Sequence, residues 1–173
     1  MRMHAENASR PEAAARCTDL AENDGVPQER WARDLGIAAT RFATHGLDAG
    51  PESLRRARAF VRDSLERWGL ESAPCADDMA LVAGELASNA VCHALPPSGR
   101  PVSRPTAWLG LARQEGALVC AVNDPSPDAP VLREDEEFLE RGRGLRIIDA
   151  LSSSWGWSPV GPGKTVWARV LVA

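Results

Sequence analysis

Ala76-Asp77-Asp78-Met79-Ala80-Leu81-Val82-Ala83-Gly84-Glu85-Leu86-Ala87-Ser88-Asn89-Ala90-Val91-Cys92-His93-Ala94 reads as an interior helix that carries a carboxylate and a carboxamide among apolar residues. Its apolar content runs nearly all the way round, so the helix belongs inside a fold rather than on its surface. Asp77 and Asp78 suit the positive end of the helix dipole at its start. Glu85 and Asn89 stand four residues apart, separated by about 40° around the axis, and therefore project from one stripe. A carboxylate on such a helix is costly unless it is paired or functional, because burial disfavours the charged form. It either meets an arginine in an ion pair or serves chemistry, and at this spacing one of the two side chains can bind a metal beside the other.

Working outward towards the N-terminus, Gly50-Pro51-Glu52-Ser53 starts another helix, with proline in the tolerated first turn. In it Leu54, Ala57, Phe60, Val61, Leu65 and Trp68 recur at three- and four-residue steps opposite Arg55, Arg58, Arg62 and Glu66, and Gly69 ends it. Arg41 to His45 forms an edge strand. Residues 1–38 show no sustained apolar period and are expected to be a disordered or weakly helical tail, with the folded domain at 39–173.

Towards the C-terminus, Leu95-Pro96-Pro97-Ser98-Gly99-Arg100-Pro101 cannot continue a helix and begins a linker. Ala107 to Ala112 and Ala117 to Asn123 follow as an antiparallel strand pair. Residues 124–141, with three prolines and the acidic run Glu134-Asp135-Glu136-Glu137, fit a mobile lid. A short helix holds Leu145, Ile147, Ile148 and Leu151. A terminal hairpin turns across Gly161-Pro162-Gly163, with Trp155 to Val160 and Thr165 to Val172 as its arms. This order predicts an α/β two-layer sandwich, with three helices on one face of a mixed, mostly antiparallel sheet.

Composition narrows the function. The 173 residues suffice for one core, and 44 % hydrophobic with 25 % charged residues is the balance of a globular protein. A net charge of −4 and a pI near 5.4 give no general attraction to nucleic acid or anionic membrane. The four cysteines, Cys17, Cys75, Cys92 and Cys120, form no Cys-x-x-Cys pair, which argues against a zinc site or disulfide framework. Without a leader-like apolar region or a stretch long enough to span a bilayer, the expected location is the cytoplasm. Of twenty basic residues only Lys164 is lysine.

Three further motifs bear on chemistry. Asp124 follows the apolar run Leu118-Val119-Cys120-Ala121-Val122, where a carboxylate can accept from an exocyclic amine or simply start a turn before Pro125. Gly142-Arg143-Gly144-Leu145 sets two glycines at a helix start, where free N–H groups favour anions; the alternative is a flexible hinge. It fails as a dinucleotide fingerprint, since Ile147 stands where the third glycine belongs. Gly163-Lys164-Thr165 is not a P-loop, because position 158 is Ser158 and Lys-Thr opens a strand rather than a helix. His93 reads as a satisfied core histidine rather than a phospho-acceptor.

Taken together, these motifs resemble the GHKL ATPase superfamily, in the form found in anti-sigma-factor serine/threonine kinases. Glu85 to Ala94 is similar to the N box, Asp124 to the adenine-reading aspartate, Gly142 to Leu145 to the second glycine box, and Gly163 to Trp167 to the last strand. The resemblance spans roughly Phe42 to Val172 and implies a histidine-kinase-like ATPase fold that binds ATP and Mg²⁺. It implies that Glu85 is the general base, that Asn89 ligates Mg²⁺, and that Asp124, supported by Thr165, accepts from adenine. Gly142, Arg143, Gly144 and Leu145 would hold phosphates through backbone donors. The implied partners are a sigma factor and an anti-anti-sigma protein whose serine is phosphorylated, with no direct nucleic-acid or membrane contact and with room for a homodimer. A non-catalytic partner-sequestering module is the alternative. The sequence departs from the superfamily after Asp124, where Pro125, Ser126 and Pro127 replace an Asp-x-Gly-x-Gly pattern.

Overall fold

A computed structural model describes residues 36–95, 107–131 and 143–172. The predicted tail up to residue 35, most of the linker, lid residues 132–141 and Gly142 lie outside them. The elements run β1 (Arg41–Leu47), α1 (Pro51–Arg67), α2 (Pro74–Asn89), a π-helical turn (Ala90–Ala94), β2 (Ala107–Gln114), β3 (Ala117–Asp124), α3 (Arg143–Leu151), β4 (Ser154–Val160) and β5 (Gly163–Leu171).

The strands form one five-stranded sheet in the order β1-β2-β3-β5-β4. Every pair is antiparallel, so the parallel pairing that a mixed sheet would contain is absent among the described strands. Two tight turns explain why the hairpins run further than predicted. Gln114 pairs with Ala117 and Val160 with Gly163, leaving two residues per loop, with Gly116 and Gly161 taking the positive φ these turns need.

The three helices lie on one face of the sheet. Leu109 and Leu111 of β2, Leu118, Cys120 and Val122 of β3, and Val166, Ala168 and Val170 of β5 meet Ala57, Val61 and Leu65 of α1 and Met79, Val82, Ala83 and Leu86 of α2 in one core. Strand alternation therefore assigns even-numbered residues of β3 and β5 to the helix side and odd-numbered ones to the outer side.

Local chemistry fixes each helix. α1 has Pro51 in its first turn, and Ser53 Oγ accepts from the Asp48 N–H at 2.9 Å. It ends where Gly69 enters the left-handed region and the Leu70 N–H reaches back to the Leu65 carbonyl at 2.9 Å. α2 starts on Pro74 and buries Cys75, Ala76, Met79, Val82, Ala83, Leu86 and Ala87, leaving Leu81 exposed. The π-helical turn beyond it closes with the Leu95 N–H on the Ala90 carbonyl, one residue wider than an α-helical ring. α3 is held by buried Ile148 and by Trp155 of β4, whose Nε1 donates to Asp149 Oδ1 at 2.9 Å. Among the described residues no helix is long and apolar enough to cross a membrane.

Candidate functional site

The four-residue spacing on α2 does what helix geometry requires: Glu85 and Asn89 face the same neighbour, the first turn of α3. A Cβ placed on Gly144 would lie 2.8 Å from Glu85 Oε2, 3.4 Å from Asn89 Oδ1 and 3.6 Å from Asn89 Nδ2. Gly144 is thus small because two polar side chains converge on it. The Glu85 carboxylate sits beside a helix N-terminus, whose positive dipole end favours negative charge. Among the described residues no arginine forms an ion pair with Glu85. Arg143 is exposed and Leu145 half-buried against the core.

A second polar cluster lies where β3 and β5 end. Asp124 alternates with Val122, Cys120 and Leu118, which places it on the helix side, 4 % exposed. Its cross-strand partner is Lys164, itself buried, and Lys164 Nζ donates to Asp124 Oδ1 at 3.0 Å and to the Ser126 carbonyl at 3.2 Å. Oδ1 also accepts the Ser126 N–H at 2.9 Å, an Asx turn that fixes how the chain leaves the strand around Pro125. Gly163 presses on this corner: a Cβ there would come within 2.0 Å of the Asp124 carbonyl oxygen. The strand end is therefore rigidly seated, and the carboxylate is neutralised from within.

Thr165 lies elsewhere. It pairs with Asn123, one residue out of phase with Asp124, so both point to the outer side, where Asn123 Nδ2 donates to Thr165 Oγ1 at 3.1 Å and to the Lys164 carbonyl at 3.2 Å. The residue beside Asp124 is Lys164, not Thr165. The structure therefore brings Glu85, Asn89 and Gly144 together, and Asp124, Lys164 and Ser126 together. The first group lies where α2 packs on α3, and the second at the ends of β3 and β5, strands on which α2 also packs. Lys164 and Ser126 were not legible as site residues. The single lysine at a strand end was the one available signal, but which face it takes depends on the β3–β5 register.

A shallow open groove also exists, lined by His45, Arg56, Phe60, Asp63 and Arg67. It belongs to β1 and the outer face of α1 and includes no residue of either polar cluster.

The family model for the histidine kinase-like ATPase domain matches residues 47–170. No curated protein matches. Among solved structures, the RsbU and RsbW domains of Rv1364c from Mycobacterium tuberculosis are similar at 21 % identity and a TM-score of 0.54, over 79 % of this chain and 34 % of that one. The chain thus spans about a third of the length of that structure, and the likeness is one of fold. The histidine kinase domain of a blue-light activated histidine kinase from Erythrobacter litoralis EL346 aligns at 17 % identity with a TM-score of 0.39, over 82 % of this chain and 69 % of that one.

Proposed function

Since the chain belongs to the histidine kinase-like ATPase domain family, we propose that it binds ATP with Mg²⁺ in the cytoplasm as an anti-sigma-factor-type protein-serine kinase. It phosphorylates an anti-anti-sigma protein and sequesters a sigma factor. The observation that carries this reading is the convergence of Glu85 and Asn89 on Gly144 at the start of α3, which gathers a carboxylate, a carboxamide oxygen and a helix N-terminus at one point.

In this reading the Asn89 carboxamide oxygen ligates Mg²⁺, a hard cation that takes few protein oxygens and keeps the rest of its shell for phosphate and water. The metal, when bound, neutralises charge on the phosphates. Gly142, Arg143, Gly144 and Leu145 offer backbone donors to phosphate oxygens. Asp124 reads the base through Oδ2, the carboxylate oxygen that no described residue occupies with a hydrogen bond. Glu85 takes the proton of the incoming serine hydroxyl. Thr165 contributes only through Asn123, by holding the strand that carries Lys164.

Labelled ATP, Mg²⁺ and candidate anti-anti-sigma domains incubated with the protein should yield phosphoserine on the partner. Glu85→Ala should lower transfer by about 10²- to 10⁴-fold, the usual contribution of a positioned general base. Undiminished transfer in that variant removes Glu85 from the mechanism.

A second reading is favoured by one observation: Asp124 is already engaged by Lys164 and Ser126, and no Asp-x-Gly-x-Gly follows it. There the domain holds nucleotide without transfer, or no nucleotide at all, and acts by sequestering its partner. Calorimetric titration with ATP and Mg²⁺ separates the two, since binding without phosphoserine formation supports the second.

A further inference from the structure

The buried pair at the ends of β3 and β5 bears on which base the site takes, an inference that rests on the nucleotide-binding reading above. A lone carboxylate only accepts hydrogen bonds. It accepts from an exocyclic amine such as that of adenine, or from the N1–H of a 6-oxopurine, but offers no donor to a keto oxygen, so a site built on Asp124 alone would leave an oxygen at position 6 unpaired.

Lys164 changes that edge. Its ammonium has three donors, and two are committed, to Asp124 Oδ1 at 3.0 Å and to the Ser126 carbonyl at 3.2 Å. Oδ1 accepts from both Lys164 and the Ser126 N–H, while among the described residues Oδ2 accepts from none. The corner therefore holds an uncommitted cationic donor next to an uncommitted anionic acceptor. Neither group is free to drift. Both side chains are at least nine-tenths buried, their backbones are cross-strand partners, and Gly163 is packed onto the Asp124 carbonyl.

We propose that Lys164 is a specificity-determining residue that admits 6-oxopurine nucleotides to this site. Its remaining N–H donates to O6, while Asp124 Oδ2 accepts from the purine N1–H. Both bonds are charge-assisted. Adenine meets the same pair only with its base turned over, its amine on Asp124 and its N1 towards Lys164. The site then reads purines as a class, where a carboxylate alone leaves the 6-oxygen unpaired.

The test is calorimetric titration of the full chain, in Mg²⁺, with ATP, GTP, ITP and the 6-thio analogue of ITP. The wild-type protein should bind GTP within about tenfold of ATP. It should bind ITP about tenfold more tightly than the 6-thio analogue of ITP, which keeps N1–H but replaces the 6-oxygen with a weakly accepting sulfur. Lys164→Met should lower the GTP-to-ATP affinity ratio by a similar factor. Strong wild-type ATP binding with GTP rejected, or a ratio unmoved by Lys164→Met, overturns the inference and leaves the nucleotide reading intact. Failure to bind any nucleotide overturns both. The ITP comparison uses only the wild-type chain, so an unfolded Lys164→Met protein does not remove the test.

Discussion

Adding one methyl group to Gly144 or to Gly163 should have opposite kinds of effect. At Gly144 the new Cβ meets the far end of the Glu85 side chain, which can rotate away. Gly144→Ala should therefore keep most of its stability while nucleotide affinity and phosphoryl transfer fall, as followed by calorimetry and the transfer assay. At Gly163 the Cβ meets the Asp124 backbone carbonyl at 2.0 Å, which cannot yield without parting β3 from β5. Gly163→Ala should cost about 3 kcal/mol, the upper end for overpacking, read as a drop in denaturation midpoint. A midpoint equal to wild type would mean that β5 can shift without penalty. Glu85 and Asn89 were legible in the sequence because the side-chain direction of a helix follows from its 3.6-residue period alone. Lys164 and Thr165 were not, because the face a strand residue takes is set by its partner strand, and a slip of one residue exchanges the two.

At the level of elements, α2 carries both the core and the site, and its two kinds of leucine should separate cleanly. Leu86 is 2 % exposed and faces the sheet, so Leu86→Ala should cost about 2–5 kcal/mol, whereas Leu81, 54 % exposed, should change stability by less than about 0.5 kcal/mol. Chemical denaturation measures both, and a Leu81→Ala cost matching that of Leu86→Ala would mean that something covers the outer face of α2. All three helices and all five strands could be foreseen from periodicity and turn residues, since amphipathic spacing and glycine turns are local properties. Sheet order was not, because β5 inserts between β3 and β4 through contacts distant in sequence. That insertion is what brings Lys164 to Asp124.

Across the whole molecule, burial sorts groups of the same chemistry into silent and responsive ones. Cys75 and Cys120 are buried and Cys92 is exposed, and burial pushes the Cys120 thiol far above its ordinary pKa. A thiol reagent should modify Cys92 in the native protein and reach Cys75 and Cys120 only as the fold opens. Peptide mapping reads this directly, and native labelling of Cys120 would mean that the sheet–helix layer opens on its own. His45 stacks on Phe60, and its Nε2 has no hydrogen-bond partner among the described residues. Burial first, then Arg56, hold its pKa below 6.5, against an opposing pull from Asp48; Asp63, Glu66 and Arg67 line the same groove. The unfolded chain takes up the proton first as pH falls below 6.5. This contribution to stability is therefore complete above that pH and is lost as pH falls through the folded-state value. His45→Asn should flatten the fall in Tm over that window relative to wild type, and parallel Tm profiles for the two proteins would exclude His45 as a source of the acid sensitivity.

The wide turn from Ala90 to Ala94 stores one residue more than an α-helical turn requires. Deleting Cys92, which is exposed, should let the ring contract to α form while leaving Asn89 and the chain before it in place. The chain thus keeps slack immediately downstream of its magnesium-ligand candidate, so length changes in the following linker can be absorbed there without disturbing Glu85 and Asn89.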